Sequence, residues 1–295
     1  MNTKNLRRFL LFIGVYWFAC RGHVHSQQDE ALQQFDSAGV EIAYAVDGEG
    51  EPVVVMHGMT GNSSNSPELR AALCEADFRV IAFDARGHGA SGKPHEPAAY
   101  GTVMVEDVIR LLDHLQIEKA HVIGYSMGAD VANKLREQHP DRLLSVTLGG
   151  IGMGVTEGWV PGEFDHIKLA ESLETGEGMK VLLREPGAVI PGRATEAQVE
   201  QLNNLLMAGQ DALALAAVIR GYTNLEVSPE KLQTNSVPTL LIVGEHDAET
   251  PSAREMEKVT DNLQLIVVPE TNHLTVMNHP DFISAIVQFT GNANR

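Results

Sequence analysis

The pentapeptide Gly124-Tyr125-Ser126-Met127-Gly128 decides how the rest of this chain is interpreted. The apolar run 121–123 ahead of it predicts the end of a strand, and residues 129–135 predict a helix. A G-x-S-x-G motif between a strand and a helix is typical of a nucleophile elbow, a sharp turn that lifts a serine above the C-terminal edge of a sheet. Such a turn strains the backbone, and a side chain at either glycine would crowd the neighbouring strand or helix. The pentapeptide alone also fits an ordinary glycine-flanked loop. The sequence around it distinguishes this interpretation from a nucleophile elbow.

Strands and helices alternate on both sides of the motif. Apolar runs predict strands buried on both faces of a parallel sheet at 52–56, 79–83, 143–148, 237–244 and 263–268. Residues 40–46 alternate between apolar and polar, as an edge strand does. Amphipathic helices are predicted at 68–76, 103–115 and 282–289, and a further helix is predicted to start at Ser252. The alternation predicts the α/β fold class, with a doubly wound, mostly parallel sheet.

Residues 151–227 interrupt this alternation, because they contain no convincing buried strand. Thr195 and Gln198 form a capping-box pattern at a helix start, and residues 212–219 are apolar and helical in character. We therefore predict a small helical cap inserted into the sheet domain. The predicted domains are a first core part at 27–150, the cap at 151–227 and a second core part at 228–295.

A serine, an aspartate and a histidine each follow a predicted strand. Ser126 follows the strand of the motif, Asp247 follows the strand at 237–244 and His273 follows the strand at 263–268. The carboxyl ends of parallel strands meet at one edge of a sheet, where active sites form. A serine hydroxyl needs a base within hydrogen-bond reach and a carboxylate that orients this base. The sequence therefore predicts a catalytic triad of Ser126, Asp247 and His273.

Acyl transfer also needs two N–H donors aimed at the developing negative charge. One is predicted to be the backbone N–H of Met127, directly after the serine. The other is predicted to be the backbone N–H of Met59, since His57-Gly58-Met59 follows the strand at 52–56 and its glycine lets the backbone approach closely.

Five segments together resemble the α/β-hydrolase fold superfamily from about residue 38 to the end of the chain. They are HGMTGN at 57–62, DARGHGASGKP at 84–94, GYSMG at 124–128, VPTLLIVGEHD at 237–247 and NHLTVMNHPDF at 272–282. Within that superfamily the chain resembles the single-domain group that holds carboxylesterases, lactonases, cofactor-free haloperoxidases and meta-cleavage-product hydrolases.

The resemblance implies a cofactor-free and metal-free serine hydrolase that acts on a small or medium carboxylic ester or lactone. Hydrolysis of a carbon–carbon bond and haloperoxidase-like activity remain alternatives, as does a catalytically silent, ligand-binding member of the fold. Trp159 and Met207 are candidates for lining the substrate pocket, although both also fit the core of the cap. No partner beyond a small-molecule substrate is predicted, and the oligomeric state stays open.

Several assignments within this site remain open at this stage. Glu157 or Asp165, after the strand at 143–148, could replace Asp247 as the acid of the triad. His57 is expected to shape the oxyanion loop, yet it and His246 are the alternatives to His273 as the base. Asp130 lies one helical turn after Ser126 and is interpreted as a first-turn helix acid or as a substrate contact.

The N-terminal residues 1–26 resemble a signal peptide. Three bases at positions 4, 7 and 8 precede the uncharged run 9–19, which is shorter than the ~20 residues that span a bilayer. Cleavage after Ser26 would give an exported, periplasmic or secreted protein. Lipidation of Cys20 or an uncleaved anchor are the alternatives, and only these predict an association with a membrane.

The chain is strongly acidic, with 22 Lys and Arg against 39 Asp and Glu and a net charge of −17. Residues 1–26 hold four of the bases and no acid, so their removal would change −17 to −21. This charge argues against nucleic acid as a partner, because binding a phosphate backbone requires cationic side chains.

Overall fold

The computed structural model describes residues 32–153, 166–185 and 193–293, and their strands form one eight-stranded sheet. The strands are β1 (Gln33–Ser37), β2 (Val40–Asp47), β3 (Glu51–Met56), β4 (Phe78–Phe83), β5 (Ala120–Tyr125), β6 (Leu143–Gly149), β7 (Thr239–Gly244) and β8 (Leu263–Val268). Their order across the sheet is β1-β2-β4-β3-β5-β6-β7-β8. The β1–β2 and β2–β4 pairs are antiparallel, and the other five neighbouring pairs are parallel. The predicted α/β class with a mostly parallel sheet is confirmed.

One edge of the sheet differs from the prediction. The strand at Val40–Asp47 is not an edge strand, because it pairs with β1 on one side and with β4 on the other. The edge is formed by Gln33–Ser37, a strand of largely polar sequence in which only Phe35 and Ser37 are buried. Ala38 and Gly39 turn the chain from β1 into β2 with positive φ angles of 54° and 87°.

The described residues form ten α-helices around this sheet. They are α1 (Pro67–Glu75), α2 (Thr102–His114), α3 (Met127–Gln138), α4 (His166–Glu174), α5 (Lys180–Arg184), α6 (Glu196–Met207), α7 (Ala212–Gly221), α8 (Pro229–Thr234), α9 (Thr250–Val259) and α10 (Pro280–Asn292). The helix predicted to start at Ser252 begins two residues earlier, because Glu249 occupies its N-cap position. The predicted capping box at Thr195 is present: the Thr195 side chain accepts from the Gln198 N–H, and the Gln198 side chain accepts from the Thr195 N–H.

Helices α4 to α7 lie within 151–227, where the cap is predicted, and α8 lies just after it, in the predicted second core part and before β7. The exact domain boundaries, and the signal peptide at 1–26, remain predictions. None of the described helices is by itself long and apolar enough to cross a membrane; only α6 and α7 meet the length and composition criteria as a pair, with a 93° bend between them.

The buried core lies on both faces of the sheet. Successive side chains of a strand point to opposite faces, and in β3 this places Val54 and Met56 in one apolar cluster and Val53 and Val55 in the other. Full burial of each such side chain stabilises the fold by roughly 1.5–3 kcal/mol. The parallel register aligns the ends of neighbouring strands, so the chain leaves β3, β5, β7 and β8 at the same edge.

Candidate active site

Ser126 occupies a strained turn between β5 and α3, with φ of 50° and ψ of −119°. A residue other than glycine held in such a conformation costs roughly 1–3 kcal/mol. The Ser126 N–H donates to the carbonyl of Gly149 over 2.8 Å, which ties the turn to β6. Both flanking positions require glycine, because any side chain there would lie too close to neighbouring backbone atoms. A Cβ on Gly124 would lie 2.2 Å from the carbonyl oxygen of Gly128, and a Cβ on Gly128 would lie 2.6 Å from that of Met56.

Two hydrogen bonds join the three residues that the sequence predicts as a triad. His273 Nε2 lies 3.1 Å from Ser126 Oγ, and His273 Nδ1 lies 2.9 Å from Asp247 Oδ2. The Asp247 side chain is only 1% exposed, whereas that of His273 is 24% exposed. When the Asp247 carboxylate accepts a hydrogen bond from the protonated Nδ1, the neutral imidazole carries no proton on Nε2. Nε2 is then an acceptor that faces the Ser126 hydroxyl. This geometry allows His273 to take the proton of Ser126.

The loop after β7 holds Asp247 in place. The Asp247 N–H donates to the carbonyl of Gly244 over 3.1 Å, and the N–H of Glu249 donates to Asp247 Oδ1 over 3.0 Å. One carboxylate oxygen is therefore held by the backbone while the other accepts from His273.

Three influences set the pKa of His273. Burial lowers the pKa of His273, but the hydrogen bond and charge of Asp247, together with the charge of Glu249, outweigh burial and raise it above its ordinary value. The sequence predicts two opposing effects on the pKa of this imidazole: a neighbouring carboxylate raises it and burial lowers it. The structure adds Glu249 and gives the net direction as upward.

Both predicted oxyanion donors lie next to Ser126. A Cβ on Gly58 would be 3.3 Å from the Cβ of Ser126, so the loop that carries Met59 passes directly beside the serine. The loop turns sharply, because the N–H of Gly61 donates to the carbonyl of Gly58 over 3.0 Å. Within the described part of the chain, the N–H groups of Met59 and Met127 donate to no protein acceptor. Both are therefore free to bind an oxyanion.

The other histidines considered as the base are placed elsewhere. His57 is buried, its Nδ1 lies 2.8 Å from the carbonyl of Gly58, and its Nε2 accepts from the Ala85 N–H over 3.0 Å. With both ring nitrogens engaged, His57 braces the oxyanion loop. His246 is exposed on the loop after β7, and within the described ranges its ring makes no hydrogen bond to Ser126. The structure brings only His273 to the serine among the described residues.

Of the two predicted pocket-lining residues, Met207 lies within the described residues and Trp159 does not. Met207 ends α6, is partly buried and packs against the larger apolar cluster, which matches a residue of the cap core. Trp159 lies outside the described residues, as do the alternative acids Glu157 and Asp165. The pocket role of Trp159 and Met207 stays a prediction. The cap nevertheless reaches the oxyanion loop, because Gln210 Nε2 donates to the carbonyl of Thr60 over 2.9 Å.

Sequence reasoning missed two residues of this site. The hydroxyl of Tyr125 donates to the backbone carbonyl of His273, and Glu249 adds a second carboxylate beside the triad. The only sequence signal for Glu249 is its spacing, two residues after Asp247. No local pattern could have predicted the contact of Tyr125, since 148 residues separate the two partners.

Known proteins that are similar to this chain in sequence include α/β-hydrolases. A family model described as the alpha/beta hydrolase fold matches residues 51–173, which include β3 to β6 and the Ser126 turn. The chain is 27% identical over 253 residues to the sn-1-specific diacylglycerol lipase ABHD11 of Mus musculus, covering 80% of each chain. It is 26% identical over 256 residues to 3-oxoadipate enol-lactonase 2 of Acinetobacter baylyi, covering 84% of this chain and 92% of the lactonase.

Solved structures show the same architecture. A hydrolase from Pseudomonas aeruginosa superposes with a TM-score of 0.74 at 25% identity, over 90% of this chain and 100% of the other. An esterase from Exiguobacterium antarcticum gives a TM-score of 0.73 at 22% identity, over 88% and 99% of the two chains. At that identity the second likeness concerns the fold alone.

Proposed function

The chain belongs to the α/β-hydrolase superfamily, and on that premise we propose that it is a serine hydrolase of small or medium carboxylic esters or lactones. One observation carries the proposal: the continuous hydrogen-bonded path from Asp247 through His273 to Ser126, with two free N–H donors beside the serine. The names of the lipase and lactonase relatives agree with this class of reaction.

The proposed reaction proceeds in two halves. His273 Nε2 takes the proton of Ser126 Oγ as the oxygen attacks the substrate carbonyl, and the N–H groups of Met59 and Met127 stabilise the oxyanion. The intermediate collapses to an acyl-enzyme, and His273 returns the proton to the leaving alcohol. Water then attacks the acyl group while His273 again accepts a proton, and the carboxylic acid leaves as Ser126 is restored.

Covalent labelling and a substrate panel test this proposal. A fluorophosphonate probe should label the wild-type chain at Ser126 and should leave Ser126→Ala unlabelled. A panel of esters and lactones of increasing acyl length should show turnover that Ser126→Ala lowers by several orders of magnitude. A folded wild-type protein that neither reacts with the probe nor hydrolyses any panel member would contradict the proposal. Turnover of a carbon–carbon substrate alone would support the alternative reaction.

We also propose that residues 1–26 direct export. The proposal is supported by the basic start followed by the uncharged run 9–19. Mass spectrometry of the protein made in its native cell should find Gln27 or a neighbour at the N-terminus. An intact Met1 on cytosolic protein would contradict export, whereas an acylated Cys20 would select the lipoprotein route.

A further inference from the structure

The segment between α6 and α7 contacts the oxyanion loop, residues 57–61. Gln210 lies in that segment, and its side-chain Nε2 donates to the backbone carbonyl of Thr60 over 2.9 Å. The segment itself is fixed, because the Gln210 N–H donates to the carbonyl of Met207 over 3.1 Å and the Asp211 side chain caps α7. The side chain of Gln210 therefore joins the predicted cap to the oxyanion loop.

Thr60 holds a backbone conformation that its side chain disfavours. Residues 58–61 form a turn that is closed by the bond from the Gly61 N–H to the Gly58 carbonyl, and Thr60 is its third residue, with φ of 64°. Turns with a positive φ at this position usually carry glycine or asparagine there. A β-branched residue is rare in this conformation and persists in it only when its surroundings hold it. The turn at Thr60 therefore depends on contacts from outside the loop.

Two peptide groups connect the Gln210 side chain to the N–H of Met59. The first joins Thr60 to Gly61, and its carbonyl accepts from Gln210. Its N–H donates to the carbonyl of Gly58 over 3.0 Å. The second peptide group joins Gly58 to Met59, and its N–H is the predicted oxyanion donor. A peptide group is planar, so the direction of its carbonyl also fixes the direction of its N–H. The hydrogen bond from Gln210 thus acts on the orientation of the Met59 N–H.

The carbonyl of Gly58 is also held from the sheet. Burial lowers the pKa of His57, which keeps its ring neutral. Nε2 of His57 accepts from the Ala85 N–H over 3.0 Å, so Nδ1 carries the proton and donates to the Gly58 carbonyl over 2.8 Å. The Gly58 carbonyl therefore accepts two hydrogen bonds, one from His57 and one from Gly61. Of these two, only the bond from Gly61 depends on the turn at Thr60 and hence on the cap.

We propose that Gln210 is a positioning residue that keeps the strained Thr60 turn in the form that directs the Met59 N–H toward the oxyanion. The inference rests on the proposed function, because the oxyanion forms only when Ser126 attacks a carbonyl. An oxyanion donor acts mainly in the transition state. Loss of the Gln210 donor should therefore lower kcat and leave KM nearly unchanged, whereas loss of a uniform substrate contact raises KM.

Gln210→Met tests this role, because methionine has a similar length and cannot donate a hydrogen bond. On the best ester of the panel, kcat should fall about tenfold while KM stays within about twofold of wild type. The loss is smaller than for removal of an oxyanion donor, because His57 still holds the Gly58 carbonyl. The matched control is Gln201→Met, the same change at an exposed position of α6, which should keep both constants. A raised KM with unchanged kcat in Gln210→Met, or no change in either constant, overturns the proposal.

Thr60→Gly tests whether strain in the turn creates the need for Gln210. Glycine adopts a positive φ readily, so in this variant the turn should persist without the bond from Gln210. The measured quantity is the loss of kcat caused by Gln210→Met, determined once in wild type and once in the Thr60→Gly background. The loss should shrink from about tenfold to about threefold or less. An equal loss in both backgrounds overturns the proposal, since Gln210 would then act without stabilising the turn.

Amide hydrogen exchange of Gly61, measured by NMR, separates this inference from the proposed function because it needs no substrate. The Gly61 N–H closes the turn and should exchange about fivefold faster or more in Gln210→Met, and at the wild-type rate in Gln201→Met. Unchanged Gly61 exchange in Gln210→Met overturns the inference even if wild type hydrolyses esters. Faster exchange without turnover of any ester or lactone by wild type supports the role of Gln210 in the turn while contradicting the proposed hydrolase.

Discussion

Tyr125, the residue immediately before the nucleophile, donates a side-chain hydrogen bond to the backbone carbonyl of His273. Its ring also lies beside the imidazole, with ring centroids 5.2 Å apart, and packs edge-on against Phe282 of α10 at 6.1 Å. The end of β5 thus carries Ser126 and at the same time fixes the loop that carries the base. The end of β5 therefore helps to set the distance between Ser126 Oγ and His273 Nε2.

Tyr125→Phe should loosen this link. The variant leaves the carbonyl of His273 without its partner, and an unsatisfied buried polar group costs about 1–3 kcal/mol. We expect a lower melting temperature and a kcat about tenfold below wild type, measured on the best ester of the panel. Tyr44→Phe is the matched control, because the Tyr44 hydroxyl bonds to Gln33 and His114, away from the triad. The control should lose stability and keep kcat; equal kcat values for the two variants would argue against the positioning role.

Asp247→Asn should lower kcat by about 10⁴, as the corresponding change does in serine proteases. An amide can donate to His273 Nδ1, which favours the tautomer whose Nε2 carries the proton and so cannot accept from Ser126. Steady-state kinetics on the best ester would measure the loss, and circular dichroism would show that the variant folds. Retention of more than about a tenth of the wild-type kcat would point to another acid, with Glu157 and Asp165 as the candidates.

The activity should rise with pH through one ionisation above about 6.5, the ordinary pKa of histidine. Only neutral His273 can accept the proton of Ser126, and the structure raises the pKa of this imidazole through Asp247 and Glu249. The inactive, protonated form therefore persists to a higher pH than for a free histidine. The pH dependence of kcat/KM with a neutral ester reports this ionisation in the free enzyme. A midpoint clearly below 6.5 would mean that burial outweighs the two carboxylates.

Glu249→Gln isolates the contribution of the second carboxylate to that profile. Removing its negative charge destabilises the imidazolium form, so the acid limb of kcat/KM should move to lower pH while keeping its shape. Glu245→Gln on the same loop is the control. Its exposed side chain accepts from the Glu270 N–H, a bond that an amide oxygen can also accept. An identical shift in the control would show that general surface charge moves the profile, and that the position of Glu249 does not.

The triad could be predicted from the sequence because each member follows a strand end. Ser126, Asp247 and His273 lie next to apolar runs that are long enough to identify as strands, and parallel strand ends converge at one edge. The β1 strand could not be found in this way. Gln33–Ser37 is mostly polar, and its strand conformation comes from pairing with β2 across the Ala38-Gly39 turn.

The electrostatic environment of Asp130 could not be predicted for a different reason. Burial and then the charge of Glu249 raise the pKa of Asp130 well above its usual range. Asp130 lies on α3 and Glu249 lies at the start of α9, and nothing local to Asp130 in the sequence indicates this influence. The two interpretations of Asp130, a first-turn helix acid or a substrate contact, both stay predictions.

Asp130→Asn should change the pH dependence of stability. The folded state raises the pKa of Asp130 well above its usual range, whereas in the unfolded chain it titrates near its ordinary value of about 3.9. Between those two pKa values the folded state binds more protons than the unfolded state, so stability falls as pH rises from about 4 upward. Asparagine has no such ionisation. The melting temperature of the variant relative to wild type should therefore increase between pH 4 and pH 8. Asp261→Asn, which removes a carboxylate at an exposed position, is the matched control, and an equal pH-dependent change in it would show that loss of any carboxylate is sufficient. A difference for Asp130→Asn that stays constant over that range would mean that neither burial nor the charge of Glu249 raises the pKa of Asp130 in the folded protein.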